Sequence, residues 1–190
     1  MLPPILADLR RRYPKLVVAL SPNNRSEDLL RREADIAVRM VRPEQGALVA
    51  RHIGAIELGL HGRADLLDGH ALPTTPEEAI AFGLVGVEND NSVIRAMRAA
   101  GLPLSFDDFA FRSDSDLAQL AAIRAGLGVG LCQVPLAQRD PALVRLLPDM
   151  ISFPLDTWVV MHEDLRNSAP VRAVFDALVA GLKRYLAAAG

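Results

Sequence analysis

In this 190-residue sequence the histidines and the lone cysteine are the side chains best suited to metal binding or nucleophilic attack, and their spacing suits neither. His52, His61, His70 and His162 are scattered, with none three or four residues from another histidine or from a cysteine, as a helical metal site requires. No metal is expected. A Gly-x-Ser-x-Gly nucleophile elbow is missing, and Cys132 falls inside an apolar run that reads as a buried, inert thiol. Gly126-Leu127-Gly128-Val129-Gly130 has dinucleotide-loop glycine spacing, but it follows a helical pattern and precedes a strand pattern. That order is the reverse of the one that aims a helix N-terminus at a pyrophosphate, so the run reads as a helix cap leading into a buried strand. The Gly-x-x-x-x-Gly-Lys-Ser/Thr loop is also missing. No pair of residues has defensible general acid–base spacing, so no catalytic residue and no cofactor is predicted.

Three polar turns remain: Ser21-Pro22-Asn23-Asn24, Asn89-Asp90-Asn91 and Ser113-Asp114-Ser115. Each reads as following a strand and preceding a helix, the place where open α/β sheets bind ligands. Helix capping alone explains the composition of any one of them, whereas three together point to a binding cleft. Arg39 stands near the end of an apolar run, where it would pair with an anionic effector or, equally well, lie exposed or pair with Asp35.

The elements that must position these turns follow from periodicity. Ile5, Leu6, Leu9 and Tyr13 share a helical face that Pro14 ends. Residues 16–20 form a β-branched apolar run read as a strand, and Ser26 caps a short helix with Glu27 and Asp28 in its first turn. Residues 35–40 make a second strand, and 48–53 and 56–61 two more, parted by Gly54. Thr75-Pro76-Glu77-Glu78 is a helix start in which Thr75 caps and Glu78 completes the box. Strand 84–88, helix 92–100 and strand 109–112 come next, then a helix capped by the Ser113-Asp114-Ser115-Asp116 turn, with Leu117, Leu120, Ala121 and Ala125 on one face. Strands at 128–133, 143–147 and 157–162 precede a final helix opened by Ser168 and Pro170 and striped by Val171, Val174, Phe175, Leu178 and Leu182. Apolar strands alternating with helices argue for an α/β sheet covered on both faces.

Bulk properties narrow the class further. With 51% hydrophobic residues the chain can bury a real core, and 21 basic against 23 acidic residues give a net charge of −2, no field for nucleic acid or an anionic membrane. A single cysteine suits a reducing compartment, the N-terminus lacks a signal-peptide pattern, and no run approaches the ~20 apolar residues of a membrane span. A cytoplasmic protein is the expectation.

Leu2-Pro3-Pro4-Ile5-Leu6-Ala7-Asp8-Leu9 with Arg12-Tyr13-Pro14, then Asp28-Leu29-Leu30 and Asp35-Ile36-Ala37-Val38-Arg39, resembles the effector-binding domain of LysR-type transcriptional regulators. Residues 60–67 with Pro73-Thr74-Thr75-Pro76-Glu77-Glu78, Ala125-Gly126-Leu127-Gly128-Val129-Gly130-Leu131 through Pro135, Leu143-Val144-Arg145-Leu146-Leu147-Pro148, and 169–178 continue the resemblance in order along almost the whole chain. It implies an α/β, type 2 periplasmic-binding-protein-like fold: two Rossmann-like lobes, 1–60 plus 155–190 and 61–154, with an interlobe cleft. The cleft residues it implies are Ser21, Asn23, Asn24, Arg39 and Met40, with Asn89, Asp90, Ser113, Ser115, Gln133 and Val134, and their chemistry fits a small polar or acidic metabolite. His61 would pack near a crossover between lobes.

The resemblance also implies a homodimer, with tetramers possible for the full-length protein, that pairs the first helix of one subunit with the helix near 92–100 of the other. Promoter DNA would be reached only through an N-terminal winged helix-turn-helix. That motif is absent here, so specific operator binding by this sequence is not expected. The family's first strand, which precedes the Leu-Pro-Pro helix and supplies a cleft-facing serine or threonine, also has no counterpart. Either the sequence is cut short or another segment fills that place, and lobe one is expected to be less stable for it. The leading expectation is a sensor domain that is not an enzyme; the alternative is a solute-binding protein of a transport system with the same fold.

Overall fold

The computed structural model describes residues 1–22, 34–43, 47–89, 92–99, 102 and 104–188. The helix expected from Ser26, with Glu27 and Asp28, lies outside the described residues, as do Asn23, Asn24 and Asp90. The described chain forms two compact units, residues 1–56 with 154–190 and residues 57–153.

In the first unit, helix α1 (Leu2–Arg12) starts with proline in its first turn, where a missing amide costs nothing, and Tyr13 N donates to Leu9 O at its end. Strand β1 (Ile36–Arg39) pairs antiparallel with β7 (Ser152–His162), placing Arg39 opposite Trp158 and Val38 opposite Val159; β7 in turn neighbours β2 (Leu48–Arg63). One sheet face buries Ile53, Val159 and Met161 under α1 and the final helix α6 (Ala169–Ala187), which contributes Val174, Phe175, Leu178 and Leu182. Each such side chain contributes about 1.5–3 kcal/mol by leaving water. The two helices meet where α6 carries Gly181; a Cβ there would come within 2.6 Å of Ile5.

The second unit is built on a mixed sheet. The second half of β2 pairs antiparallel with β5 (Val129–Gln133) and β6 (Leu143–Leu146), while β3 (Leu84–Gly86) runs parallel to both β5 and β4 (Phe109–Arg112). Alternation sorts its two faces. Leu60, Val129 and Leu146 join Leu67, Ala79 of α2 (Pro76–Ile80) and Ile151 on one side. On the other, Val85 and Cys132 meet Ala122 and Ile123 of α4 (Asp116–Arg124) and Ala137 of α5 (Val134–Ala137). Helix α3 (Ser92–Ala99) buries Ile94 and Met97.

Several local expectations are corrected. Residues 16–20 pair with no strand among the described residues: Val17 is 83% exposed and Leu20 half-exposed, and composition alone does not make a ladder. The two strands expected on either side of Gly54 are one 16-residue strand, because Gly54 takes φ +131° without breaking it. Strand β7 begins at Ser152, five residues earlier than the apolar run suggests. On α4 the buried face is Gln119, Ala122 and Ile123, and Leu117 is exposed. Glu78 does not close the box on Thr75: Thr75 Oγ1 accepts from Glu78 N, but the Glu78 carboxylate accepts from Thr74 N at 2.7 Å, one residue earlier.

Candidate functional site

The parallel strands β3, β4 and β5 all end at the same edge of the second unit's sheet, because parallel neighbours share a direction. Asn89 follows β3, Ser113 and Ser115 follow β4, and Gln133 closes β5 and caps α5. These four expected site residues therefore lie along one edge. Val134, the fifth, opens α5 and is 4% exposed, packed against Gly59.

Asp114 ties two of the turns together. Its carboxylate accepts from Glu88 N at 2.9 Å and from Asn89 Nδ2 at 3.3 Å, while Ser113 N donates to Gly86 O at 2.9 Å. Gln119, turned inward from the first turns of α4, donates from Nε2 to Ser113 O at 2.6 Å. The hydroxyls are oriented from below. Ser113 Oγ accepts from Ser115 N at 3.2 Å, and Ser115 Oγ accepts from Ala118 N at 3.4 Å as the α4 cap. A serine oxygen that accepts a backbone amide keeps its own proton to donate. Ser113 and Ser115 thus present two hydroxyl donors at this edge, which can meet carbonyl or carboxylate oxygens of a small molecule. Asp114 and Gln119 were missed as site organisers; the Ser-Asp-Ser-Asp run carried the signal for Asp114, but a buried glutamine on a helix leaves no mark in the sequence.

In the first unit the expected residues are placed differently. Ser21 is exposed after the irregular segment 16–20, so that turn does not follow a strand. Arg39 ends β1, half-buried, across from Trp158. Met40 Sδ accepts from the buried Thr157 hydroxyl at 3.2 Å.

One constellation looks catalytic until its protons are assigned. His61, 2% exposed, lies on β2 with Nδ1 at 2.8 Å from Gly59 O and 3.3 Å from Cys132 Sγ. A carbonyl oxygen only accepts, so Nδ1 carries the proton and has no lone pair with which to draw one from the thiol. Burial pushes the thiol up to about 11 and pushes the imidazole below its ordinary value, with Arg145 also opposing a second positive charge there. The pair is a neutral packing contact, not a nucleophile and its base. Arg145 lies across Gly59, where a Cβ would stand 3.2 Å from Nε, a nitrogen that is buried with no hydrogen-bond partner among the described residues. Its Nη2 donates to Glu57, as does Ser152 Oγ at 2.8 Å, and the hydrogen bonds from Ser152 and Arg145 hold the Glu57 carboxyl below the usual range. Among the described residues no group of three or more His, Cys, Asp or Glu side chains could hold a metal ion, and no helix is long and apolar enough to cross a membrane.

Comparison with known proteins gives a consistent result. The family model for the LysR substrate binding domain matches residues 1–183. No curated protein matches the chain by sequence. Among solved structures, the regulatory domain of CrgA, a LysR-type transcriptional regulator from Neisseria meningitidis, superposes with a TM-score of 0.79 at 21% identity, covering 96% of this chain and 92% of that one. The regulatory domain of AphB from Vibrio vulnificus gives 0.69 at 22% identity, over 95% and 92%. Full-length AphB from Vibrio cholerae, described as a virulence activator, gives 0.70 at 24% identity; the match covers 95% of this chain but 63% of that protein. At these identities the likeness shows the fold, a mixed α/β arrangement of the type 2 periplasmic-binding-protein kind.

Proposed function

The chain belongs to the LysR substrate-binding domain family, and from that membership we propose that it is the effector-sensing domain of a transcriptional regulator, binding a small polar or acidic metabolite rather than transforming it. The observation that carries the binding reading is the edge of the second unit's sheet, where Asn89, Ser113, Ser115 and Gln133 gather at the ends of three parallel strands and Asp114 locks two of the turns. The family's regulators are not typically enzymes, and the neutral His61–Cys132 pair supplies no activated nucleophile. Ser21, Arg39 and Met40 are assigned to the effector on the family resemblance alone.

The match covers 63% of the full-length relative from Vibrio cholerae; in a regulator of that kind, occupancy of the site would alter how a dimer presents a DNA-binding domain to promoter DNA. The protein would act in the cytoplasm as a homodimer or tetramer. The test is a thermal-shift screen of the purified chain against a panel of organic acids, amino acids and sugars, since a ligand that binds only the native state raises the melting temperature. At least one compound is expected to raise it, with the rise lost in Ser113→Ala. Conversion of a hit into product, with turnover abolished by the same substitution, would overturn the reading.

A further inference from the structure

His61 is buried in the second unit, where its surroundings suit one charge state. The imidazole Nδ1–H donates to Gly59 O at 2.8 Å, and Cys132 Sγ lies 3.3 Å from the same nitrogen. Among the described residues no group accepts a hydrogen bond from Nε2. Arg145 stands directly opposite His61 in the β2–β6 register, on the same face of the sheet. The other charged groups facing the cluster are spent on one another. On β2 the Glu57 carboxylate accepts from Arg145 Nη2 and from Ser152 Oγ, and beyond the Cys132 thiol of β5, Arg124 and Asp140 pair at 2.8 Å. Helix α5 has no titratable side chain. It rests on the cluster through Val134: a Cβ on Gly59 would meet Val134 Cγ2 at 3.1 Å, Arg145 Nε at 3.2 Å and His61 Cε1 at 3.3 Å.

We propose that His61 is an acid-operated latch on α5: a second proton on the imidazole drives Val134 off Gly59 and carries α5 and Gln133 away from the end of β5. The protonated ring would hold an N–H with no acceptor, buried beside a guanidinium that cannot give up its own charge. Something must yield to let water reach Nε2. Strands β2, β5 and β6 are held by their ladders, whereas α5 is a single four-residue turn, too short to be stable alone, closed by Gln138 N donating to Val134 O at 3.0 Å. Histidine takes up its proton in mildly acid solution, and burial moves that step below the ordinary value here. Gln133 belongs to the proposed effector site, so weaker effector binding in acid rests on that reading; the latch belongs to the ligand-free chain and is tested there.

An NMR titration of the unliganded chain from about pH 7.5 to 5 reads the His61 ring and the backbone amides together. The amides of Gln133, Val134, Leu136, Ala137 and Gln138 are expected to shift with the midpoint of the His61 ring. Hydrogen exchange at Gln138, corrected for its intrinsic pH dependence, should quicken by up to about tenfold per pH unit below that midpoint. The Ser113 amide, bonded to Gly86 O in the same unit, should keep its protection. His61→Asn keeps a donor for Gly59 O but takes up no proton, so the response at α5 should vanish; the wild-type titration decides the matter even where that variant does not fold. Amides of α5 that do not follow the His61 midpoint, a response that survives in His61→Asn, or protection lost evenly across the unit would overturn the proposal.

Discussion

Replacing Gly130 by alanine is expected to destabilise the second unit, and the structure says by how much. An added Cβ would sit 2.6 Å from Val85 O, 2.9 Å from Ile123 Cδ1 and 3.1 Å from Val85 Cβ. The first of these is backbone of the neighbouring parallel strand, which cannot rotate away as a side-chain tip can. Strand β3 must therefore retreat, weakening its ladder with β5 and shifting the turn that carries Asn89. Overpacking of this kind costs about 1–3 kcal/mol, offset by about 0.4–1 kcal/mol because alanine narrows the unfolded ensemble. A net loss of about 1–2 kcal/mol lowers the melting temperature by roughly 2–8 °C for a chain of this size. Gly126 is the control: its φ is +78° but its added Cβ meets only Arg63 Cδ at 3.6 Å, so alanine there costs about 1–2 kcal/mol of left-handed strain without crowding. Urea unfolding followed by circular dichroism measures both. Combining each change with Ile123→Val, which withdraws the crowding methyl, should recover part of the loss for Gly130→Ala and none for Gly126→Ala. A Gly130→Ala midpoint equal to the wild type would refute the close-approach argument.

Two further outcomes follow from the cores. His61 is buried neutral, with its folded value below the ordinary one, so the unfolded chain takes up a proton that the folded chain resists as pH falls below about 6.5. Its contribution is full above that pH and is lost on acidification with a slope of up to about 1.4 kcal/mol per pH unit; His61→Asn should flatten stability measured between pH 7 and 5, and an unchanged slope would count against the neutral assignment. On α4, Ile123→Ala should cost about 2–5 kcal/mol in chemical denaturation while the exposed Leu117→Ala stays within about 0.5 kcal/mol; the opposite ranking would mean that the helix presents its other face.

What the sequence made legible was local. Pro14 ends α1 within two residues of the expected place, Gly126 follows α4, and the stripe from Val174 to Leu182 is the face that α6 buries, because each depends on neighbours a few residues away. Residues 16–20 show the limit: a run with strand composition takes no strand pairing among the described residues. The face of α4 was misjudged because Gln119 is turned inward to bond Ser113 O, a choice set by the β4–α4 turn and invisible to hydrophobic periodicity. Likewise His61 and Cys132 meet across 71 residues through the β2–β5 register, which places Gly59 opposite Cys132 and which no single-strand pattern reveals. The turns bearing Asn89, Ser113 and Ser115 were found from composition and strand order, whereas the Asp114 bridge that joins them needed coordinates.

The proposed effector site lies against the turns that end β3, β4 and β5. Titrating the 15N-labelled chain with the strongest compound from the thermal screen, and following backbone amide shifts, tests it most directly. The largest perturbations are expected at Glu88, Asn89, Ser113, Ser115 and Gln133, abolished by Ser113→Ala. Perturbations confined instead to the separate cavity of about 240 Å³ lined by Leu72, Thr74, Leu147 and Met150, with the strand-end turns silent, would contradict it.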